Sequence, residues 1–135
     1  MPPLRDSALA ALAGASVIAF AYAGGRRAGL TTHDLARRIA PQNVVLGRAG
    51  QLLVGGMACA PATAAGGPAL GAAAGAIAGL ASVRGRPAAP PGAVLVAIGA
   101  HASGGAVAGL VARRLGERRD RRDRRAQVHA DELRR

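Results

Sequence analysis

Residues 66–83 read G-G-P-A-L-G-A-A-A-G-A-I-A-G-L-A-S-V, and this stretch decides the fold class. Its glycines at Gly67, Gly71, Gly75 and Gly79 recur every fourth residue, which on an α-helix forms one face without side chains. In water each interior glycine costs a helix about 0.8–1.0 kcal/mol relative to alanine. In lipid the backbone must bond internally, and faces of small residues let helices approach closely. The stretch therefore predicts a membrane-embedded helix that packs through a glycine zipper.

The composition of the whole chain also favours lipid over water. Hydrophobic residues make up 50% of the 135 residues, yet there is no Trp and only one Phe and one Tyr. Soluble cores depend on larger side chains to bury enough area. The 20 glycines, and arginine at all 18 basic positions, also fit a GC-rich genome, so compositional bias is the alternative explanation of the glycine spacing. The single cysteine, Cys59, excludes an intrachain disulfide framework and a Cys-based zinc site.

An uncharged run at residues 7–23 precedes the glycine stretch. At 1.5 Å per residue it is about one bilayer core long, which predicts a spanning helix. A cleaved secretory signal is the alternative, because the A-Y-A that ends at residue 23 fits a small-residue cleavage site. Residues 24–41 then become charged and amphipathic, which predicts a short surface helix.

Two more segments have the composition of membrane helices. Residues 92–112 carry no formal charge and repeat the four-residue spacing at Gly105 and Gly109. Residues 49–65 are a candidate for a fourth helix. That helix must begin after Arg48 or lie at the interface, because an arginine at mid-membrane costs about 2.5–3.5 kcal/mol.

These segments predict an all-α, small polytopic membrane protein with three or four Ala/Gly-rich transmembrane helices and a basic C-terminal tail. Residues 1–112 form the transmembrane domain, and residues 113–135 form an Arg-rich, solvent-exposed tail. Positive residues stay cytoplasmic, so arginine counts discriminate between topologies. Three helices with the N-terminus outside (7–23, 66–83 and 92–112) place fifteen arginines inside and three outside, whereas four helices with both ends inside give eleven and seven.

The tail is expected on the cytoplasmic or matrix side of a bacterial cell membrane or an organellar inner membrane. Its arginines are predicted to contact anionic lipid headgroups. The residues are Arg113, Arg114, Arg118, Arg119, Arg121, Arg122, Arg124 and Arg125. The net charge of +11 also suits nucleic acid, and residues 31–40 resemble the first helix of a helix-turn-helix unit. Pro41 follows, however, and no polar recognition helix comes after it, which argues against nucleic acid as a partner.

The sequence contains no arrangement typical of catalysis. No Ser-His-Asp spacing, phosphate-binding loop or paired carboxylate set occurs, so no catalytic, cofactor-binding or metal-binding residue is predicted, and the chain is not expected to be an enzyme. His101 lies within an apolar segment, which suggests proton or ion passage. No intramembrane carboxylate completes a relay, so a neutral imidazole bonded to nearby backbone is the favoured interpretation. His33 and His129 lie in charged segments and are interpreted as surface residues.

Arg38, Gln42 and Gly47 form a short pattern, in which an apolar run follows the glutamine. The pattern resembles the signature of the hypoxia-induced domain family, which includes the respiratory supercomplex factors. The resemblance covers residues 8–60 and implies a small, non-enzymatic inner-membrane protein with a helical hairpin that associates with cytochrome c oxidase. The family's aromatic residues are missing here, and the last two helices have no counterpart in it.

The function that the sequence favours is therefore structural or accessory, within a homo-oligomer or a larger membrane complex. A respiratory accessory or assembly factor is one alternative. A holin-like protein that assembles into membrane lesions is a second, because glycine-rich interfaces and a basic tail suit it. A basic nucleic-acid-binding protein is the third.

Overall fold

The computed structural model describes residues 4–64, 66–84 and 89–134, and its regular structure over these ranges is entirely helical. The helices are α1 (Leu4–Arg27), α2 (Leu35–Ile39), α3 (Val44–Ala64), α4 (Pro68–Val83) and α5 (Pro91–Glu132). The all-α prediction is confirmed.

Local sequence signals explain where the helices begin. Asp34 caps α2, because its side chain accepts a hydrogen bond from the Arg37 backbone N–H at 3.3 Å. Gly66 adopts φ +79°, a left-handed conformation that favours glycine, in the tight connection between α3 and α4. Both α4 and α5 start with a proline, whose missing N–H and fixed φ suit the first helical position.

Three of the described helices, α1, α3 and α5, are long and apolar enough to cross a membrane. The prediction of membrane-spanning helices is confirmed at this level, but the set differs from the one expected. The helix from the glycine stretch, α4, has 16 residues and is shorter than these three. The optional helix at residues 49–65 is instead a 21-residue helix that begins at Val44.

Arg48 does not delay the start of α3, so that part of the prediction was wrong. It lies four residues after Val44 and its side chain is exposed. At this position the arginine is about 6 Å from the helix start, near the end of the bundle and away from mid-membrane depth. If α3 crosses a membrane, a long side chain at this position is able to reach the headgroup region, so the energetic cost of an arginine at mid-membrane does not apply.

The four long helices form an up-and-down bundle. Gly14 of α1 lies against Gly104 of α5, while Gly25 lies against Val96, so these two helices run antiparallel. The pairs α1 with α3 and α4 with α5 are antiparallel in the same way. The start of α1 and the tail therefore lie at one end of the bundle, and α2 lies at the other.

This arrangement overturns the three-helix topology with fifteen arginines on one side. Gly92 at the start of α5 lies beside Leu30, so the arginines of residues 26–48 are at the end of the bundle opposite the tail. If all four helices cross, the arrangement matches the four-helix topology with both termini on the same side.

The helix α5 continues without a break from the apolar segment into the tail. It has 42 residues, from Pro91 to Glu132, and passes straight through residues 112 and 113. The domain boundary predicted between residues 112 and 113 is a change in composition and solvent exposure. The helical backbone continues across it.

The interior of the bundle holds small residues, and the large apolar side chains face outward. The largest fully buried side chain is that of Cys59, and the buried hydrophobic residues are otherwise alanines and Ile18. Phe20, Met57 and Leu95 are 79%, 77% and 71% exposed. A water-soluble protein reverses this distribution, because burying large apolar groups is its main stabilising contribution.

Candidate functional site

The contact between α4 and α5 is made by backbone against backbone. Gly71, Gly75 and Gly79 are the buried residues of α4. A Cβ at Gly79 would stand 2.6 Å from the Ala97 carbonyl oxygen, and a Cβ at either of the other two would fall within 3.0 Å of a carbonyl oxygen of α5. Real Cβ atoms do not approach so closely, so this face tolerates no side chain.

The opposing face of α5 has the same character. Gly105 lies against the Gly71 carbonyl, and Gly109 lies against the carbonyl of Gly67. A Cβ at either glycine of α5 would fall within 3.0 Å of that backbone. We call this contact, made by Gly71, Gly75, Gly79, Gly105 and Gly109, the glycine seam.

Gly67 differs from the other glycines of the stretch. The spacing placed it within the helix, but α4 begins at Pro68 and Gly67 is the N-cap, with an extended backbone at φ 176°. A Cβ there would meet nothing within 4 Å. Its prediction as a helix-packing residue is therefore corrected, because only its carbonyl takes part, as the acceptor of the Gly71 N–H and as the neighbour of Gly109.

A second set of small residues joins α1 to α5 and α3. A Cβ at Gly14 would stand 2.5 Å from the Gly104 carbonyl oxygen and 2.7 Å from the Cys59 sulfur. On α3, Gly55 lies against Ala15 of α1, where a Cβ would be 3.1 Å from the alanine methyl. The sequence does not reveal this set, because its glycines do not recur at a regular four-residue interval.

A cavity of about 180 Å³ lies under α2, between α1, α3 and α5 and the end of α4. Its polar lining consists of Tyr22, His33, Gln51, Ser82 and His101, and its remaining walls are aliphatic. At about 30 Å³ per water in the liquid, the volume suits a few waters or a small polar molecule.

Two imidazoles meet one phenol at this cavity. The Tyr22 ring lies 5.2 Å from the His33 ring and 6.0 Å, edge-on, from the His101 ring, measured between centroids. His33 is half-buried, so its interpretation as a surface residue was wrong: the loop before α2 folds back over Tyr22. His129, in contrast, is exposed as predicted.

His101 forms the backbone hydrogen bond that the sequence favoured. Its Nδ1 lies 2.8 Å from the Ala97 carbonyl oxygen. Because a carbonyl only accepts, Nδ1 carries the proton, and Nε2 of a neutral ring is an acceptor. Ser82 likewise donates its hydroxyl to the Gly79 carbonyl at 2.7 Å. The cavity lining contains no carboxylate, so its groups offer hydrogen bonds and no acid–base pair of the usual kind.

The residues of the family-like pattern lie around α2. Arg38 is exposed on α2, and Gln42 is exposed in the turn that follows it. Gly47 is buried in the first turn of α3, where a Cβ would fall within 3.0 Å of the Ala36 carbonyl oxygen. This glycine allows α2 to cross closely over the start of α3.

The tail arginines all lie on the exposed part of α5. Arg113 donates from Nε to Glu117 at 2.9 Å, and Arg119 lies 3.8 Å from Asp123, each pair one helical turn apart. The hydrogen bond from Arg113 lowers the pKa of Glu117, although slight desolvation opposes it, and the charges of Arg113, Arg114 and Arg121 lower it further. The other side chains of this segment leave a large excess of positive charge.

No group of three or more metal-ligating side chains occurs within residues 4–64, 66–84 and 89–134. No known protein family, curated protein or solved structure matches the chain.

Proposed function

We propose that this chain is a small integral membrane protein with a structural or accessory role, that its helices pack through the glycine seam, and that it carries out no catalysis. The observation that supports this best is the reversed distribution of side chains, with alanine and glycine inside and large apolar residues outside. Lipid tails are as apolar as leucine, so burial of large side chains does not drive association there, and small residues allow the close contact that does.

The spacing of charged residues supports insertion. Arg5 and Arg26 are 21 residues apart on α1, which is about 31 Å along a helix. On α5 the apolar segment from Pro91 to Arg113 spans about 33 Å. Both lengths match a hydrocarbon core of about 30 Å. Each end of the bundle then places its arginines in a headgroup layer.

The long basic helix supports the accessory role. From Arg113 to Glu132 it extends about 30 Å beyond the apolar segment. Such an arm presents its arginines to anionic headgroups or to an acidic partner, at about 1 kcal/mol for each arginine near an anionic surface. We propose anionic lipid as its first contact, and assembly with copies of itself or with a larger membrane complex as its role.

Alkaline carbonate extraction tests the proposal. The protein is expected to remain with the membrane pellet, because spanning helices resist release, whereas a peripheral basic protein is released as salt screens its ionic contacts with the headgroups. Release into the supernatant would overturn it, together with both membrane alternatives. If the protein stays in the pellet, co-purification with an oxidase would select the respiratory alternative, whereas abrupt lysis on expression would select the holin-like one.

A further inference from the structure

The end of the bundle that carries α2 has a groove of about 660 Å³ lined by three arginines. Arg26 comes from the last turn of α1, Arg37 from α2, and Arg48 from α3. Residues from three separate elements thus converge on one space. The tertiary fold brings them together, because they do not come from one local stretch of sequence.

Asp34 lies close to two of these arginines. Its carboxylate forms an ion pair with Arg26 and lies 3.6 Å from Nε of Arg37, while its other oxygen caps α2. The Asp34 side chain is only 21% exposed, so the pair with Arg26 is partly shielded from water. The three arginines and one aspartate keep two formal positive charges in the groove, and Arg48 has no ion pair within the described ranges.

The walls of the groove are suited to the boundary between headgroups and acyl chains. Pro41 and Val44 line it, and next to them Val45 and Leu46 are 79% and 63% exposed at the start of α3. Arg26 lies at the end of the apolar part of α1, where a spanning helix leaves the hydrocarbon. Positive groups beside exposed aliphatic side chains suit a phospholipid, whose phosphate and acyl chains lie next to each other.

The tail contains a second cluster of arginines, which differs from the groove. Arg118, Arg121, Arg122 and Arg125 also line a shared space, but they come from one helix and have no apolar wall. A cluster of this kind attracts negative charge in general. The groove at α2 differs because its arginines come from three elements and Arg26 is held by a carboxylate, and planar guanidinium groups can present paired N–H donors to one phosphate.

We propose that this groove binds the phosphate of an anionic phospholipid headgroup, with Arg26, Arg37 and Arg48 as its ligands. Asp34 positions Arg26 and does not touch the lipid. The inference rests on the proposed insertion in a membrane, which carbonate extraction tests separately. A peripheral protein would fail that extraction, whereas an inserted protein without a lipid site would fail only the experiment below.

The test is native mass spectrometry of the full chain, purified in detergent, delipidated, and incubated with phosphatidylglycerol or phosphatidylcholine. The wild-type chain is expected to retain one phosphatidylglycerol in preference to phosphatidylcholine. The double variant Arg37→Gln with Arg48→Gln should weaken that retention by about fivefold for each arginine removed. Arg121→Gln with Arg122→Gln is the matched control, since it removes the same charge from the tail and should keep the preference.

Each other outcome overturns the proposal. Equal loss in the two double variants would mean that only net charge matters. Displacement of the lipid by inorganic phosphate as readily as by short-chain phosphatidylglycerol would assign the groove to a free anion. Circular dichroism checks that the variants remain helical, and if the groove pair did not, Arg37→Gln alone, at a side chain 86% exposed, carries the same test.

Discussion

Residues 91–112 and 113–132 belong to the same helix, α5, but they are held helical by different forces. The first half contains all the buried residues of α5, which are Ala97, Ala100, Gly104, Gly105, Ala108 and Gly109. The second half contains none and carries paired charges one turn apart. The helical structure of residues 91–112 depends on close contact with neighbouring helices. That of residues 113–132 depends on charge pairs along its own surface. Equal substitutions in the two halves should therefore have unequal effects.

The largest expected difference is between Gly105→Leu and Gly116→Leu. At Gly105 the obstacle is the backbone of α4, which no rotamer change relieves, so the cost should reach or exceed the roughly 1–3 kcal/mol typical of overpacking. At Gly116 a Cβ meets nothing within 4 Å. We expect the first variant to lose folded protein in detergent and the second to match the wild-type chain, as measured by unfolding in denaturing detergent. Equal behaviour would mean that the glycine spacing is compositional bias.

A single methyl group sharpens the same comparison. Gly75→Ala places a Cβ within 3.0 Å of the His101 carbonyl oxygen and should destabilise the bundle by about 1–3 kcal/mol. Gly99→Ala, on the open face of α5, meets nothing within 4 Å and should be neutral or slightly stabilising, because alanine favours a helix. Both are measured in the same unfolding assay. A loss of stability at Gly99 equal to that at Gly75 would contradict the role of the seam.

The charged half should respond to salt and lipid, and not to packing. A peptide of residues 113–135 is expected to bind vesicles that contain phosphatidylglycerol at about 1 kcal/mol per arginine, before its five acidic residues are discounted. Binding should fall steeply as salt is added. Replacing Arg118, Arg121, Arg122 and Arg125 by glutamine should remove most of it, as measured by co-sedimentation. Equal binding to phosphatidylcholine vesicles would refute the electrostatic account.

The smallest effect concerns pH in the charged half. The hydrogen bond from Arg113 lowers the pKa of Glu117 in the folded helix, so this pair stabilises the tail above the carboxyl's unfolded pKa. That contribution is lost as pH falls through the lower, folded value. Circular dichroism of the full chain should show a slight acid-induced loss of helicity that is reduced in Glu117→Gln. The reverse pH dependence would be inconsistent with the pair.

The sequence identified which helix faces carry small residues. It did not identify which of these faces pack against each other. The all-α class and the membrane character follow from uncharged runs and from the absence of large core residues, and these are local properties. The spacing singled out Gly71, Gly75 and Gly79, and these residues are buried against α5. Their importance for assembly stays a prediction until the variants are measured. The spacing failed at Gly67, because Pro68 starts the helix one residue later.

The arginine groove and the cavity could not be predicted from the sequence, since both depend on chain reversal. Arg26 and Arg48 are 22 positions apart and meet only because α1 and α3 are antiparallel. His33 appeared to be a surface residue because its sequence neighbours are charged, whereas the fold places it on Tyr22. Tyr22 is the only tyrosine of the chain, and Gln51 is a polar residue within an apolar run. The lone tyrosine and the polar residue in an apolar run were the sequence signals that could have indicated the cavity.

The unbroken axis of α5 gives the protein a mechanical property. A continuous helix transmits rotation and tilt along its length, so a force that turns the arginine arm also acts as a torque on the glycine seam. One residue inserted between Ala112 and Arg113 would rotate the whole arm by about 100° and leave the packed half in place. The direction in which the arginines point is therefore set by the register of the glycine seam.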